Sequence, residues 1–194
     1  MAPRMLRRRR RALMRRYKTP KSTDYLRCTI DIINGLSKIT NNVNYEWAGS
    51  NSPVLNLNNQ LKANANFTQF CKQFSYVRIK ALTYLANPDA KNQSTTESGF
   101  VGLSVWPRGY LNEYGTWEKC ADNPFFKVLN YTEKTYKYCN LLGGDNEWRT
   151  TDSGEFTSCS IYAVSSFSLG SSTAACPDWL VKISVDCVFK SPVQ

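Results

Sequence analysis

Alternation of apolar and polar residues is clearest near the C-terminus of the chain. Six apolar residues there share one face of an extended segment: Trp179, Val181, Ile183, Val185, Cys187 and Phe189. The opposite face is mostly polar, with Leu180 and Val188 as exceptions. A period of two residues predicts a half-buried β-strand. Residues 25–32 alternate in the same way, and we expect the Asn34-Gly35 pair to end that strand as a turn.

Weaker patterns fill the middle of the chain. Strands are predicted over residues 76–85, 100–106 and 135–141, with looser alternation over 156–169 and faint signals at 45–47 and 54–57. Aromatic spacing over residues 67–74 predicts one short helix, and residues 108–130 are expected to form a long aromatic connection. About seven or eight strands without a βαβ unit predict an all-β fold, an antiparallel sandwich or barrel.

The net charge of the chain is concentrated at its N-terminus. The 194 residues include 25 Lys and Arg against 15 Asp and Glu. Residues 1–21 contain ten of these cations and no acidic residue: Arg4, Arg7, Arg8, Arg9, Arg10, Arg11, Arg15, Arg16, Lys18 and Lys21. Removing these ten leaves 15 cations against 15 acidic residues in 22–194. The sequence therefore predicts a cationic arm, residues 1–21, attached to a neutral globular domain, residues 22–194.

Four roles for the arm compete. An arginine guanidinium can donate two parallel hydrogen bonds to phosphate oxygens, and neutralising phosphates releases their counterions. Nucleic-acid binding is therefore the favoured role of the arm. A nuclear import signal has a similar composition and is compatible with it. A membrane-surface helix is disfavoured because its apolar stripe would be thin, and a functionless solvated tail is the remaining alternative. The domain contains no zinc-finger spacing or other base-reading motif, so binding is expected to be independent of nucleotide sequence.

Enzyme chemistry finds little support in the sequence. The chain has no histidine, no phosphate-binding glycine loop and no CxxC pair, and its loop carboxylates show no convergent spacing. We therefore expect no catalysis, no cofactor and no metal. The seven cysteines are expected to be reduced, and Cys28, Cys159 and Cys187 to pack inward as small hydrophobic groups. No secretory or membrane-spanning segment is expected.

Three local stretches add a family resemblance to this arm-plus-β-domain plan. They are Phe74–Leu82, Asn123-Pro124-Phe125-Phe126 onward to Tyr138, and Trp179–Phe189. The chain resembles the capsid proteins of small circular single-stranded DNA viruses of the circovirus-like kind. That resemblance implies a single eight-stranded antiparallel jelly roll behind a disordered or partly helical arm. The short arm and small domain also suit the coat proteins of satellite RNA viruses, which share the plan.

The resemblance implies a virion protein that assembles into an icosahedral T=1 shell of about 60 copies. The packaged genome would be single-stranded DNA in preference to RNA. With a DNA genome, a host import receptor would carry the capsid protein to the nucleus; with an RNA genome, the capsid protein would assemble in the cytoplasm. Arg78 and Lys80 are candidates for a basic patch on the inner wall, although an ordinary solvated face is the alternative. Loop aromatics are candidates for subunit contacts, or else cover the subunit's own core: Trp106, Tyr110, Tyr114, Trp117, Phe125, Phe126 and Tyr131.

A rival from another class is a monomeric binding module. It would be a lectin-like or regulatory β-sandwich with a basic import tail. The same strand pattern and arm fit that protein, so the state of assembly separates the two hypotheses.

Overall fold

Two antiparallel sheets face each other across the core of the computed structural model. The structure describes residues 25–38, 45–48, 52–89, 100–107, 116–141, 146–166 and 178–193. Within these ranges the strands are β1 (Tyr25–Lys38), β2 (Tyr45–Trp47), β3 (Val54–Asn56), β4 (Phe74–Pro88), β5 (Val101–Trp106), β6 (Phe126–Val128), β7 (Thr135–Asn140), β8 (Arg149–Thr150), β9 (Ser160–Ser165) and β10 (Trp179–Pro192). The α-helices are α1 (Leu57–Ala63), α2 (Ala65–Gln73) and α3 (Trp117–Ala121), and a 3₁₀ turn spans Thr151–Ser153.

The strand order confirms the predicted jelly roll. One sheet runs β2-β1-β10-β4-β7, with β8 also paired to β4, and the other runs β3-β9-β5-β6. Eight of these strands form two four-stranded sheets, β1-β10-β4-β7 and β3-β9-β5-β6, while β2 and β8 extend the first. Strands that are far apart in sequence become neighbours in the sheet: β1 and β10 pair although they lie at opposite ends of the described chain. We call β2-β1-β10-β4-β7 with β8 the large sheet and the other the small sheet.

The predicted turn at Asn34-Gly35 is wrong, because β1 continues through it to Lys38. Leu36, just beyond this pair, is fully buried and lies opposite Trp179 on one side and Trp47 on the other. Burial between two tryptophans favours an extended chain over a turn, so tertiary packing overrides the local turn preference.

Helices are more numerous than predicted. The helix expected over 67–74 is α2, and α1 precedes it without having been predicted. Asparagine side chains cap both: Asn56 accepts a hydrogen bond from the backbone of Asn59, and Asn64 accepts one from that of Phe67. These caps satisfy amide groups that a helix otherwise leaves unpaired at its start. They explain why an Asn-rich stretch folds as two successive helices.

The connection predicted over 108–130 contains regular structure. In its described part, α3 is followed by β6, which pairs with β5. Asn123 fixes the turn between them, since its amide donates to the Ser104 hydroxyl and the Val105 carbonyl at 2.9 and 2.8 Å. It also accepts from the backbone of Phe125 at 3.0 Å. The segment is therefore anchored to the small sheet by a buried side chain.

The core fills the space between the sheets. Phe67 of α2 packs edge-on against Phe156 and lies 5.7 Å from Phe189 of β10, ring centre to ring centre. The hydroxyl of Tyr84, on the large sheet, donates to the carbonyl of Leu103 on the small sheet. These contacts fix the distance between the two sheets and leave the opposite face of the large sheet directed outward.

The cysteines occupy the expected inward positions. Cys159 and Cys187 are buried and Cys28 is half-buried, all as free thiols. Burial raises the pKa of the Cys187 thiol well above its ordinary value, and the neighbouring Cys28, Asp186 and Cys71 raise it further. A protonated, buried thiol acts as a small apolar group and is a poor nucleophile.

Candidate nucleic-acid interface

The ten cations of the predicted arm, residues 1–21, lie outside the described residues. The first described residue is Tyr25, at the start of β1. Three residues of chain connect Lys21 to Tyr25, and an extended backbone spans at most about 14 Å over the four steps between them. Lys21 is therefore tethered close to the beginning of β1, whereas an extended chain would let Arg16 reach about 32 Å and Arg4 about 75 Å from it.

Arg78 and Lys80 both lie on β4, in the large sheet. The pairing of β4 with β10 shifts register here, since Ile79 is opposite Cys187 whereas Ala81 is opposite Asp186. Lys80 is the extra residue of this β-bulge, and bulges commonly re-aim a side chain. Arg78 and Lys80 line the same groove, so the structure brings the two candidates together.

Two rows of side chains cross the outer face of the large sheet beside this groove. In the first row, Tyr25 of β1, Lys190 of β10 and Tyr76 of β4 are direct cross-strand partners. In the second row, Arg27, Val188 and Arg78 are partners in the same order. Val188, one of the two exceptions to the alternation of β10, is only 5% exposed because the surrounding side chains cover it. Cations and rings thus form a packed surface across three strands.

Trp148, just before β8, packs onto these rows. The Lys190 ammonium nitrogen lies 4.4 Å from the centre of its ring and the Arg78 guanidinium carbon 5.0 Å from it. Lys190 is also 5.0 Å from the ring of Tyr76, and the Tyr25 ring centre is 6.0 Å from that of Trp148. Cation–π attraction holds such charges against rings without neutralising them. We call the set the Trp148 cluster: Tyr25, Arg27, Tyr76, Arg78, Trp148 and Lys190.

Charge is distributed unevenly along this face. At the far end Asp31 forms an ion pair with Lys182 at 2.8 Å and accepts from the Ser184 hydroxyl at 2.6 Å. These contacts, the lysine foremost, lower the pKa of the Asp31 carboxyl. Within the Trp148 cluster no cation forms an ion pair with a carboxylate of the described residues, and Asp186 of β10 accepts a hydrogen bond from the Thr29 hydroxyl. The end of the face that carries the Trp148 cluster therefore has excess positive charge, whereas at the far end the charges of Lys182 and Asp31 neutralise each other.

A groove of about 660 Å³ opens at the cluster and is lined by Tyr25, the second row (Arg27, Val188 and Arg78), Lys80 and Trp148. A second groove of about 550 Å³ continues from it along Lys80 and ends near Asn146 and Tyr138. Both volumes fall within the range of about 300–1,000 Å³ that is typical of ligand sites. The Nε atom of Arg78 and the Oδ1 atom of Asn146 are buried at these grooves without a hydrogen-bond partner among the described residues.

Of the six residues of the Trp148 cluster, only Arg78 is among the site residues that the sequence predicts. Arg27 and Lys190 were visible as polar positions of alternating strands, but nothing local shows that β1, β10 and β4 are neighbours. Trp148 had no periodic signal at all. It reaches the cluster because β8 pairs with β4, where Thr150 is opposite Tyr76.

The described candidates for subunit contacts pack against their own subunit. Trp106, Trp117 and Phe126 surround a small apolar group formed by Cys120, Tyr162 and Val164. Phe125 and Tyr131 pack against the main core, with Tyr131 5.5 Å from the ring of Trp179. Tyr110 and Tyr114 lie outside the described residues. A role in subunit contacts stays a prediction for all seven.

The described part of the chain contains no group of three or more Cys, Asp or Glu residues placed to hold a metal ion. None of its three α-helices has the length and apolar content needed to span a bilayer.

Comparison with solved structures identifies the architecture. The chain superposes on the structure of Cocksfoot mottle virus with a TM-score of 0.60 at 11% identity, covering 87% of this chain and 96% of that one. It has the fold of a viral capsid protein. A virus-like particle of Macrobrachium rosenbergii nodavirus gives a TM-score of 0.55 at 10% identity, covering 89% and 97% of the two chains.

A third structure supports the same architecture. The capsid protein of Penaeus vannamei nodavirus, a deletion mutant forming a T=1 subviral particle, gives a TM-score of 0.54 at 11% identity, covering 87% of this chain and 98% of that one. No family model matches the chain, and no curated protein matches it in sequence. At these identities the likeness shows a shared capsid jelly roll, extending over nearly the whole length of each compared chain.

Proposed function

We propose that this chain is the capsid protein of a small icosahedral virus, which assembles into a closed shell and packages its genome through the arginine-rich arm. The observation that supports the proposal most strongly is the jelly roll shared with capsid proteins over 96–98% of their compared chains. The function is structural and not enzymatic.

The charge distribution supports genome packaging. A shell of about 60 copies would bring about 600 arm charges to the lumen, enough to balance about 600 phosphates. The neutral domain avoids like-charge repulsion where identical subunits meet. Binding of this kind depends on phosphates and is independent of nucleotide sequence.

The finer features of the proposal are a T=1 shell, a single-stranded DNA genome and nuclear import through the arm. The preference for DNA rests on the local resemblance to circovirus-like capsid proteins, whereas the compared structures come from a mottle virus and two nodaviruses. Sequencing of the nucleic acid that copurifies with assembled particles tests it directly. DNA sequences would support the preference, and RNA sequences would contradict it.

Light scattering of the purified full chain tests the function. We expect particles far larger than a 22.1 kDa monomer, with nuclease-protected nucleic acid inside. If about eight arm cations contact single-stranded phosphates, the log–log slope of affinity against salt is about −6. Replacing the eight arm arginines with glutamine removes most of that slope, while lysine replacements, as the matched control, keep it. Monomers at every salt concentration, with and without nucleic acid, would instead support the β-sandwich binding module.

A further inference from the structure

We propose that the Trp148 cluster is a second nucleic-acid site, in which exposed tyrosine rings stack on unpaired bases and the adjoining cations contact phosphates. The inference rests on the proposed packaging function and specifies the part of the folded domain that meets the genome. It also assigns the outer face of the large sheet to the inside of the shell.

Ring exposure is the first argument. Tyr25 is 56% exposed and Tyr76 37% exposed, and both flank Lys190 in one cross-strand row. Exposed aromatic rings on a sheet are the platform on which single-stranded nucleic acids stack, and stacking tolerates any base because every base has a flat face. Rings fixed on strands lose little conformational freedom when they bind, so the platform is preorganised.

Uncompensated charge is the second argument. Arg27, Arg78 and Lys190 meet no carboxylate of the described residues in an ion pair, although Lys182 on the same face does. The Arg78 Nε atom is buried without a hydrogen-bond partner among those residues, and an unsatisfied buried donor is costly unless a ligand supplies an acceptor. A phosphate oxygen is the acceptor that a guanidinium group binds best.

Continuity with the arm is the third argument. Tyr25 is both the first described residue and a member of the cluster. The arm is tethered at the cluster, since Lys21 lies within about 14 Å of Tyr25 and even Arg4 within about 75 Å along an extended chain, so a strand held by the arm stays within reach of the cluster. The effective concentration of such a tethered strand is high, so even a weak stacking site is occupied. This geometry selects single-stranded nucleic acid as the occupant over a protein partner.

The test measures binding of fluorescently labelled oligo(dT) and oligo(U) to the full chain at about 0.5 M salt, where contacts to phosphates are weakened. Replacing Tyr25 and Tyr76 together with alanine is expected to weaken affinity about thirtyfold or more, since each ring stacks on one base. Replacing both with phenylalanine keeps the rings and is expected to leave affinity within about twofold. Tyr136→Ala is the matched control, because Tyr136 is 59% exposed on the same sheet but pairs with Leu85 at its far end.

A second pair of variants tests the cations. Arg78→Gln with Lys190→Gln should reduce the salt slope by about 1.4, since each lost phosphate contact accounts for about 0.7. Lys127→Gln with Lys134→Gln, two exposed lysines outside the large-sheet face, should leave the slope unchanged. Intrinsic tryptophan fluorescence adds a structural readout, because a base bound at the cluster should quench Trp148 and the quenching should disappear in Trp148→Phe.

The proposal is overturned if the double alanine variant binds like the unmodified chain, or if phenylalanine fails to restore binding. Electron microscopy of the same samples separates this failure from failure of the proposed function. Particles that form while affinity is independent of the tyrosines contradict the cluster site alone. Tyrosine-dependent binding by subunits that never assemble contradicts the capsid proposal alone.

Discussion

Replacing Asn123 with alanine should destabilise the subunit far more than the same change at Asn130. Both side chains make three hydrogen bonds. Asn123 donates to Ser104 and Val105 and accepts from Phe125, at 2.8–3.0 Å, and is 8% exposed. Asn130 accepts from the backbone amide and hydroxyl of Thr132 and from the amide of Glu133, at 2.8–3.2 Å, but is exposed. The pair therefore differs mainly in burial.

The expected magnitudes follow from what replaces the lost bonds. At Asn123 the Ser104 hydroxyl, itself fully buried, and the Val105 carbonyl lose a partner where water has little access. With a net value of about 0.5–1.5 kcal/mol per bond, Asn123→Ala should cost about 2–4 kcal/mol. At Asn130 water replaces the side chain, so Asn130→Ala should cost about 1 kcal/mol or less.

Denaturant unfolding followed by circular dichroism measures both values, on subunits kept unassembled. The midpoint should fall strongly for Asn123→Ala with an unchanged dependence on denaturant, which shows that stability and not the unfolded state has changed. Equal losses for the two variants would refute the reasoning, because they would mean that burial of the Asn123 network contributes nothing.

Three further predictions concern packing, pH and thiol reactivity. Gly102→Ala should destabilise the small sheet, because a Cβ there would lie 2.3 Å from a ring carbon of Phe126. Thermal unfolding should show a lower midpoint for Gly102→Ala and a partial recovery when Phe126→Leu is added; an unchanged midpoint for Gly102→Ala would contradict the prediction. The pKa of Asp31 is lowered in the fold, chiefly by Lys182, so its stabilisation is complete above the unfolded pKa of about 3.9 and is lost as pH falls through the folded value. Asp31→Asn should therefore remove a small part of the acid sensitivity, measured as unfolding midpoint against pH, and an unchanged profile would contradict it. Burial raises the pKa of Cys71 to about 11, so at pH 8 about one Cys71 thiol in a thousand is ionised. Alkylation of Cys71, measured by mass spectrometry, should therefore be far slower than that of an exposed thiol in a short peptide, and equal rates would contradict the prediction.

The sequence predicts the long strands well because their alternation matches the fold that buries them. β10 and β4 appear where Trp179–Phe189 and residues 76–85 alternate. The number of strands and the lack of a βαβ unit predict an antiparallel sandwich or barrel, whereas the jelly roll itself was implied by the family resemblance. Local signals for α1 were also present: Leu57 and Leu61, four residues apart and both fully buried, follow an Asn cap. Their polar surroundings concealed that spacing.

The candidate site depends on information that no local stretch contains. Arg78 was identified from its strand, but its partners come from β1, from the C-terminal half of β10 and from the segment before β8. Pairing between distant strands decides which polar positions become neighbours, and a single sequence does not encode that pairing in any local pattern. Trp148 is the extreme case, since only the pairing of β8 with β4 brings it to the cluster.

Cryo-electron microscopy of particles formed by the purified full chain tests the central claim most directly. The account predicts closed icosahedral shells of about 60 copies, with the outer face of the large sheet toward the lumen and nucleic-acid density on the Trp148 cluster. Subunits that stay monomeric with and without nucleic acid, or closed shells that expose this face on their exterior, would contradict it.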